Sequence, residues 1–327
     1  MLCFALMPTL IRSSACLLLL TPLLLSLVPL FQLPGLDGFD ASSVAGQRVM
    51  VCGASTGIGE QLAYQYGRLG AHVAIVARRR ERLETVCGKV IGEGAASCLV
   101  VDADLASAAG AEDAMRRTLE DSNFGGELDV LVLNHIIGYW GWFLPDDVGK
   151  ARGLLAGPDK RWSHEFVEKL FKVNILSYIT LSTSGMHGLI RAARRSGTPG
   201  RIVVVSSGAA NVGLPKVAPY SATKHALHGF FNSLRLELLD KELPVTVTIC
   251  PLGRIDTDNQ RTATGTDLEL IAAASPEGAA DAILRAGNVG ARQVYWPLGQ
   301  GLHVIALLRD VVGVNWLLDR IVLAVAQ

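Results

Sequence analysis

The chain has 327 residues, of which 50% are hydrophobic and 18% are charged. This is enough for one large buried core, since single domains rarely grow beyond about 250 to 300 residues. The 30 basic and 30 acidic side chains balance, so the charge does not indicate nucleic acid or another polyanion as a partner. The six cysteines have neither C-x-x-C nor zinc-ligand spacing, which argues against a disulfide framework and against a metal site.

The first element is an uncharged, leucine-rich run over residues 13–34. About twenty such residues can cross the hydrocarbon layer, and we therefore expect a retained membrane anchor within residues 1–36. A cleaved signal peptide is the alternative, although its apolar region should be shorter and end in a small-x-small site. Pro22 and Pro29 leave a third possibility, a hairpin that enters the membrane and returns. A polar linker, residues 37–46, is predicted to follow.

A strand over residues 47–52 is predicted to run directly into a glycine-rich turn and a helix. Glycines at such a turn let the backbone approach a pyrophosphate, which then lies at the positive N-terminus of the helix. A glycine-rich turn alone is weak evidence, but here strand, glycines, helix and second strand come in the order of a dinucleotide-binding unit. The cofactor-binding residues predicted in this turn are Gly53, Ser55, Thr56, Gly57, Ile58 and Gly59.

The end of the second strand, residues 71–77, indicates which dinucleotide binds. An NAD-binding unit carries an acidic residue about 20 positions past the glycines, where it holds a ribose hydroxyl. This chain has Arg78, Arg79 and Arg80 instead. Guanidinium groups there would bind a 2′-phosphate, and no carboxylate would repel it. We therefore predict NADP rather than NAD, with Arg78 as the main contact, Arg79 as the second and Arg80 as a solvated residue.

Strands and helices keep alternating through the fourth strand, residues 128–133, which implies a parallel sheet covered on both faces.

Asp104, after the third strand, either caps the next helix, the common role of such an aspartate, or lies by the adenine. Asn134 follows the fourth strand, at the edge where ligands bind. His135 has no obvious acidic or metal partner and is interpreted as structural. The tryptophan-rich residues 138–162 are interpreted as a loop over the substrate or on the membrane surface.

The clearest sign of chemistry is an apolar strand that ends in Ser206-Ser207 and a helix that opens near Pro219. That helix carries Tyr220 and Lys224 four residues apart, and therefore on one face. A phenol beside a fixed ammonium can exchange protons near neutral pH, and Ser207 can hydrogen-bond the same substrate oxygen. Tyr-x-x-x-Lys alone is more often a packed tyrosine and a solvated lysine. The serine and the upstream glycine turn favour a carbonyl/alcohol redox site.

A long helix from His164 to about Ala193 precedes this strand and carries Asn174 in an otherwise apolar face. A buried asparagine must be hydrogen-bonded, so Asn174 is either a structural amide or part of a site.

Past a strand over residues 245–250, the turn that holds Ile255 and Thr257 is placed where its backbone could meet a nicotinamide. The polar residues 258–267 could act as a mobile substrate lid. A helix and a last short strand, residues 293–296, are predicted to complete the sheet.

The predicted fold is therefore a single α/β domain over residues 47–300, with a doubly wound parallel sheet of the Rossmann type. The apolar tail, residues 301–327, contains several charges. Those charges argue against a second membrane span and for a helix that lies on a membrane surface or packs in a dimer.

These motifs resemble the short-chain dehydrogenase/reductase family over about residues 45–300. Within it the chain looks most similar to the 11β-hydroxysteroid dehydrogenase group, and it is also similar to the plant steroleosins of oil bodies. The resemblance implies an NADP(H)-dependent oxidoreductase that interconverts a secondary alcohol and a ketone on a lipid, a hydroxysteroid before a retinoid or other lipid carbonyl compound. A catalytically idle, nucleotide-binding membrane scaffold is the alternative of a different class. The segments that carry the resemblance are the apolar N-terminus, Leu133-Asn-His-Ile136, Val205-Ser-Ser207, Leu252-Gly253-x-x-Asp256-Thr257, Gly59-Glu-Gln-Leu-Ala63 and Ala77-Arg-Arg79.

The resemblance also implies a role for each catalytic residue. Tyr220 would protonate the carbonyl oxygen, while Ser207 would polarise the carbonyl. Lys224 would lower the pKa of the phenol and hold the nicotinamide ribose. Asn174 would hold a water that relays protons to Lys224.

Beyond these four residues, the resemblance implies that Asn134 stabilises the sheet near the cofactor and that Thr257 meets the nicotinamide amide. It also implies a homodimer and a single-pass attachment to the endoplasmic reticulum membrane, with a lipid droplet or secretion as alternatives. The chain departs from the family at Cys52, where threonine is usual. The connection from Asn134 to Asn174 is longer than is usual in the group, which indicates a remodelled substrate mouth or membrane contact.

Overall fold

A computed structural model describes residues 38–142, 163–258, 260–261 and 272–300 of the chain. Contacts between Cα atoms divide the chain into residues 1–38 and 39–327, and the second unit holds nearly all of the described structure. The predicted anchor and the predicted C-terminal helix lie outside the described residues, as does most of the predicted lid. Within the described ranges, no helix is both long enough and apolar enough to cross a membrane.

A six-stranded sheet with the strand order β3-β2-β1-β4-β5-β6 forms the centre of the domain. All neighbouring strands run parallel, and the order reverses between β1 and β4. Ligands of such sheets bind where the order reverses, at the carboxyl ends of the strands. The strands are β1 (Arg48–Cys52), β2 (His72–Ala77), β3 (Ser97–Asp102), β4 (Val130–Leu133), β5 (Gly200–Ser207) and β6 (Val245–Leu252).

The helices that connect the strands form two packed groups. In one group α1 contacts α2 and α7, and in the other α3 contacts α5 while α4 contacts α6. The helices are α1 (Gly57–Arg68), α2 (Arg80–Gly92), α3 (Ala108–Glu120), α4 (His164–Phe171), α5 (Ser177–Ser196), α6 (Ala218–Asp240) and α7 (Pro276–Asn288). A π-helical segment joins α4 to α5, and 3-10 turns lie at Ala41–Val44, Gly208–Ala210 and Leu298–Gln300.

Capping serines explain where three of these helices begin. Ser107, Ser163 and Ser275 each accept a hydrogen bond from a backbone N–H of the first turn. Such a side chain satisfies one of the N–H groups that the start of a helix leaves without a partner. In α7 the cap is followed by a proline at the first helical position, where its missing N–H costs no hydrogen bond.

The core lies on both faces of the sheet, because helices cover each face. All four residues of β4 are buried, and β1 and β2 are buried over most of their length. Continuous apolar strands are what a parallel sheet covered on both faces requires. The predicted α/β fold is thereby confirmed for the described residues.

The predicted strand over residues 293–296 is not a seventh strand. This segment makes only isolated bridges to Ile249 and Leu252 of β6. Pro251 lies between these two bridged positions and has no N–H to donate, so a continuous ladder cannot form there.

The cysteine spacing argued against a disulfide framework, but the structure contains one disulfide. Cys87 of α2 and Cys98 of β3 form a disulfide, with their Cα atoms 5.7 Å apart. They are separated by 11 positions in the sequence, and the turn from α2 into β3 brings them to the ordinary disulfide distance. A search for short local motifs cannot detect this pairing. Cys52 and Cys250 are free and buried.

Candidate active site

At its glycine positions, the turn between β1 and α1 has little or no room for a side chain. Gly53 has a φ of +82° and Gly57 a φ of +65°, which glycine adopts at little cost. A Cβ on Gly53 would lie 2.7 Å from the Cα of His135, and a Cβ on Gly59 would lie 2.1 Å from the carbonyl oxygen of Gly53. The sequence therefore needs glycine here for close packing of backbone on backbone.

The N-terminus of α1 offers donors to an anion. Thr56 precedes the helix, and its side chain makes no capping hydrogen bond. The helix has 12 residues and begins with Gly57 and Ile58. The Thr56 side chain therefore leaves the first N–H groups of this helix uncapped. Such a terminus is suited to phosphate oxygens.

Two other segments meet this turn. The Asn134 side chain donates from Nδ2 to the Gly53 carbonyl oxygen at 3.2 Å, which ties the end of β4 to the turn. On the other side, a Cβ on Gly57 would lie 3.2 Å from Cγ2 of Thr257. Ile255 is 5% exposed and anchors the segment that carries Thr257. The predicted cofactor residues that follow β1, β4 and β6 are therefore brought together.

The arginines after β2 have different partners. Arg79 donates from Nη2 to the Ser55 hydroxyl at 3.2 Å, so its guanidinium points toward the glycine turn. Arg80 instead forms ion pairs with Glu84 at 2.9 Å and Asp102 at 3.1 Å. Arg78 is exposed, and the described residues give it no ion pair. Of these three arginines, Arg78 and Arg79 are thus the two that form no ion pair among the described residues and are available for a phosphate.

Asp104 is accounted for by a local turn. Its Oδ1 accepts a hydrogen bond from the Ala106 N–H at 3.1 Å, and its carboxylate is otherwise exposed. This is the common structural role of an aspartate after a strand. Contact of Asp104 with an adenine stays a prediction.

The three predicted catalytic side chains meet where β5 ends and α6 begins. The Ser207 hydroxyl interacts with the Tyr220 phenol and acts to lower its pKa. Lys224 is only 1% exposed, and its Nζ lies 5.8 Å from the centroid of the Tyr220 ring. Nζ also donates to the Val205 carbonyl oxygen of β5 at 3.1 Å, which fixes the amine beneath the phenol.

Burial controls the charge of both titrating groups. It lowers the pKa of the Lys224 amine to about 7. It raises the pKa of the Tyr220 phenol to about 12, although the neighbouring Ser207 hydroxyl acts in the opposite direction. Desolvation, which disfavours both the phenolate and the ammonium, is the physical cause of both shifts. That Lys224 lowers the pKa of the phenol stays a prediction.

The long helix predicted from residue 164 is interrupted at Asn174. Residues Lys172–Leu176 form a π-helical segment, and such segments often mark functional sites. The Asn174 amide pairs with both backbone groups of Ile137: Oδ1 accepts from its N–H at 2.8 Å and Nδ2 donates to its carbonyl oxygen at 3.0 Å. Nδ2 also lies 3.3 Å from the Thr223 hydroxyl, next to Lys224. Asn174 is thus a structural amide placed within the site.

A buried cluster behind Lys224 was not predicted. The Tyr178 hydroxyl donates to the His135 carbonyl oxygen at 2.8 Å, and the Tyr178 ring centroid is 5.8 Å from the Lys224 amine. His135 Nε2 lies 2.6 Å from the Ser177 hydroxyl, and burial lowers the pKa of the imidazole to about 3. The sequence carries one signal for this cluster, since Tyr178 follows Asn174 by four positions and therefore shares its helix face.

Comparison with known proteins agrees with this arrangement. The sequence pattern described as short chain dehydrogenase matches residues 47–267, and the chain belongs to the short-chain dehydrogenase/reductase family. A hydroxysteroid 11-beta-dehydrogenase 1-like protein of Xenopus tropicalis is 38% identical over 263 residues, which are 80% of this chain and 82% of that protein. A similarly named protein of Gallus gallus is 36% identical over 261 residues, covering 80% of this chain and 82% of the relative.

Solved structures share the fold. The RhlG/NADP active-site complex of Pseudomonas aeruginosa superposes with a TM-score of 0.64 at 25% identity, over 77% of this chain and 95% of the other. A 3-ketoacyl-(acyl-carrier-protein) reductase of Brucella melitensis, complexed with NADH, also gives 0.64, at 21% identity over 77% and 97% of the two chains. This oxidoreductase fold therefore accommodates either nicotinamide cofactor.

Proposed function

We propose that this protein interconverts a secondary alcohol and a ketone on a hydrophobic substrate, a hydroxysteroid, with NADP(H) as its cofactor. The observation that carries the proposal is that Ser207 and Tyr220 meet beside the buried amine of Lys224. The similarity to hydroxysteroid dehydrogenase-like proteins supports a steroid as the substrate class.

The geometry supports a general acid–base mechanism. A ketone oxygen placed at the two hydroxyls accepts hydrogen bonds from Ser207 and Tyr220, which polarises the carbonyl. The phenol, whose pKa is raised to about 12, is protonated at neutral pH and can give its proton to the developing alkoxide. Lys224, whose pKa is about 7, can then return a proton to the site. When bound, the nicotinamide supplies the hydride for reduction or accepts it in oxidation.

The residues present fit a nicotinamide dinucleotide. The close-packed glycines and the uncapped start of α1 suit the pyrophosphate. Because the fold accommodates both cofactors, the preference for NADP rests on Arg78 and Arg79, with no carboxylate in the place that would hold a ribose hydroxyl. Asn134 holds the turn in shape, and Thr257 lies beside it.

We further propose that residues 13–34 attach the domain to the endoplasmic reticulum membrane and that the protein works as a homodimer. The disulfide between Cys87 and Cys98 supports an oxidising compartment for the domain. Leu236 and Leu239 of α6 are 61% and 75% exposed, and such apolar side chains suit a subunit contact. Sedimentation of the purified protein would test the dimer.

The test of the proposed reaction is Tyr220→Phe. Without the phenolic proton, turnover of steroid ketones should fall by roughly 100-fold or more, while NADPH affinity stays within about twofold. Turnover would be followed by NADPH absorbance across a panel of lipid ketones and alcohols, and affinity by NADPH fluorescence. Tyr64→Phe, at a tyrosine whose hydroxyl bonds Glu60 away from the site, is the matched control. Equal rates for Tyr220→Phe and the wild type would refute the mechanism.

A further inference from the structure

One lysine and two tryptophans join the two loops beside the catalytic residues. The first loop follows β4, and the second connects β5 to α6. The Nζ atom of Lys216, in the second loop, lies 5.6 Å from the ring centroid of Trp140 and 5.6 Å from that of Trp142. The backbones are also joined, because the Gly141 N–H donates to the Lys216 carbonyl oxygen at 2.7 Å. We name these three side chains the Trp–Lys clamp.

The backbone conformation of Lys216 indicates that its contacts hold it in place. Lys216 has a φ of +66°, in the left-handed region that favours glycine. Among the described residues, the other non-glycine residue with a positive φ is Glu242, far along the chain at the end of α6. A long side chain in this conformation has to be held by its surroundings. Here the surroundings are the two indole rings and the Gly141 N–H.

The clamp acts on the loop that borders the active site. That loop is fixed near its start, because the Asn174 amide holds both backbone groups of Ile137. The clamp fixes it again, three to five positions further on. Lys216 itself is four positions before Tyr220. The described first part of this loop is therefore held at two points, both of them joined to segments that carry catalytic residues.

The same loops carry apolar surface. Trp142 is 51% exposed and Leu214, in the second loop, is 38% exposed. Beneath them Tyr139 is buried, and its ring centroid is 5.7 Å from that of Phe166. We call the exposed apolar surface formed by Trp142 and Leu214 the substrate mouth.

We propose that the Trp–Lys clamp determines substrate size at this mouth: it holds the two loops at a fixed spacing, so that large, flat, apolar ketones and alcohols bind against the exposed indole. The inference rests on the proposed function, since it assigns the part of the same site that selects the substrate. A small ketone reaches Ser207 and Tyr220 without touching the clamp and gains nothing from it.

The test compares three variants of Lys216 on two ketones, androstanedione with four rings and cyclohexanone with one. Lys216→Met keeps the length but loses the charge, and Lys216→Gly also relieves the backbone. Each should raise the KM for androstanedione by roughly fivefold to tenfold, with kcat changed less than about twofold. Both should leave the KM for cyclohexanone within about twofold. Lys216→Arg keeps a cation over the indoles, and its KM for androstanedione should equal that of the wild type.

Two controls separate the clamp from general stability and from the chemistry. Glu242→Gly relieves a positive φ away from the mouth and should leave both KM values unchanged. Equilibrium dialysis of androstanedione against NADPH-loaded protein measures binding without turnover. If the wild type binds androstanedione but does not reduce it, the proposed reaction fails, and the clamp is judged on the dissociation constants alone.

Three results would overturn the inference. The first is a wild type that does not bind androstanedione. The second is an unchanged KM and dissociation constant in Lys216→Met and Lys216→Gly. The third is an equal loss for both ketones, which would make Lys216 a structural residue of the loop without a role in selection.

Discussion

At the scale of single residues, Asn174 shows how one side chain supports the site. Its amide satisfies both backbone groups of Ile137 and contacts the Thr223 hydroxyl in the helix that carries Tyr220 and Lys224. The loop after β4 and the catalytic helix therefore meet at this one buried amide. A water held near Asn174 that relays protons stays a prediction.

Asn174→Ala should destabilise the fold and slow catalysis together. It removes the partners of two backbone groups, which costs about 1–3 kcal/mol for each group left without a hydrogen bond. The free energy of unfolding, measured by urea denaturation, should fall by at least this amount. Asn123→Ala, at an exposed asparagine that bonds only Asp121 and its own turn, should change it by less than about 0.5 kcal/mol. Similar values for the two variants would show that the Ile137 contact is not maintained.

Arg78→Asp should move the cofactor preference toward NADH. A carboxylate there repels the 2′-phosphate and can hold a ribose hydroxyl, as in NAD-binding units. A charge-assisted hydrogen bond contributes about 1.5–3 kcal/mol, so the ratio of kcat/KM for NADPH and NADH should fall by roughly 10-fold to 100-fold. Arg292→Asp makes the same change at an exposed arginine away from the glycine turn and should leave the ratio unaltered. An unchanged ratio in Arg78→Asp would contradict the NADP assignment.

At the scale of elements, the turn from α2 into β3 is closed by the disulfide between Cys87 and Cys98. The first residues of α2, Arg80, Glu81 and Arg82, line a cleft of about 330 Å³ together with Arg79. The disulfide therefore fixes the helix whose first residues border the predicted phosphate site.

Replacing both cysteines by serine should lower the free energy of unfolding by about 3 kcal/mol. Closing a loop of roughly a dozen residues restricts the unfolded chain by an entropy of that size. Thermal denaturation with and without dithiothreitol provides the measurement: the reductant should lower the Tm of the wild type and leave that of Cys87→Ser/Cys98→Ser unchanged. A wild type that does not respond to dithiothreitol, although its cysteines are reduced by mass spectrometry, would contradict this expectation.

At the scale of the whole molecule, stability should depend on pH through a group buried in the core. Burial lowers the pKa of His135 from its ordinary value of 6.5 to about 3 in the folded protein. Between these values the unfolded chain binds the proton and the folded chain does not, so stability increases with pH across this window. The stability that His135 contributes is lost as the pH falls from 6.5, and the loss is complete below about 3.

The expected loss from this one group between about pH 6.5 and pH 4.5 is about 2 kcal/mol. Urea denaturation across this range measures it, above the pH at which most carboxylates titrate. His135→Asn removes the titrating ring, so its free energy of unfolding should vary less with pH, whatever its absolute stability. Equal pH slopes for the variant and the wild type would show that the imidazole is protonated in the fold.

Much of the fold and of the site is predictable from sequence because the signals are local. Apolar runs in the sequence indicate the strands β1, β2 and β5, and periodic apolar positions with capping residues indicate the helices. The glycines indicate a tight turn, because they adopt positive φ angles at little cost. Ser207, Tyr220 and Lys224 are close in the chain, and so their meeting follows from a strand and the next helix. The broken helix at Asn174 and the missing seventh strand depend on contacts between distant segments.

The amino-acid sequence by itself determined the order of strands and helices, the glycine turn, the arginines after β2 and the pairing of Tyr220 with Lys224, because each depends on residues within a few turns of one another. Only the tertiary structure decided which groups are removed from water. It buries Lys224 and partly buries Tyr220, so that desolvation lowers the pKa of the amine and raises that of the phenol. It also brings Cys87 to Cys98, and Lys216 to the two tryptophans, since these contacts exist only after the chain has folded.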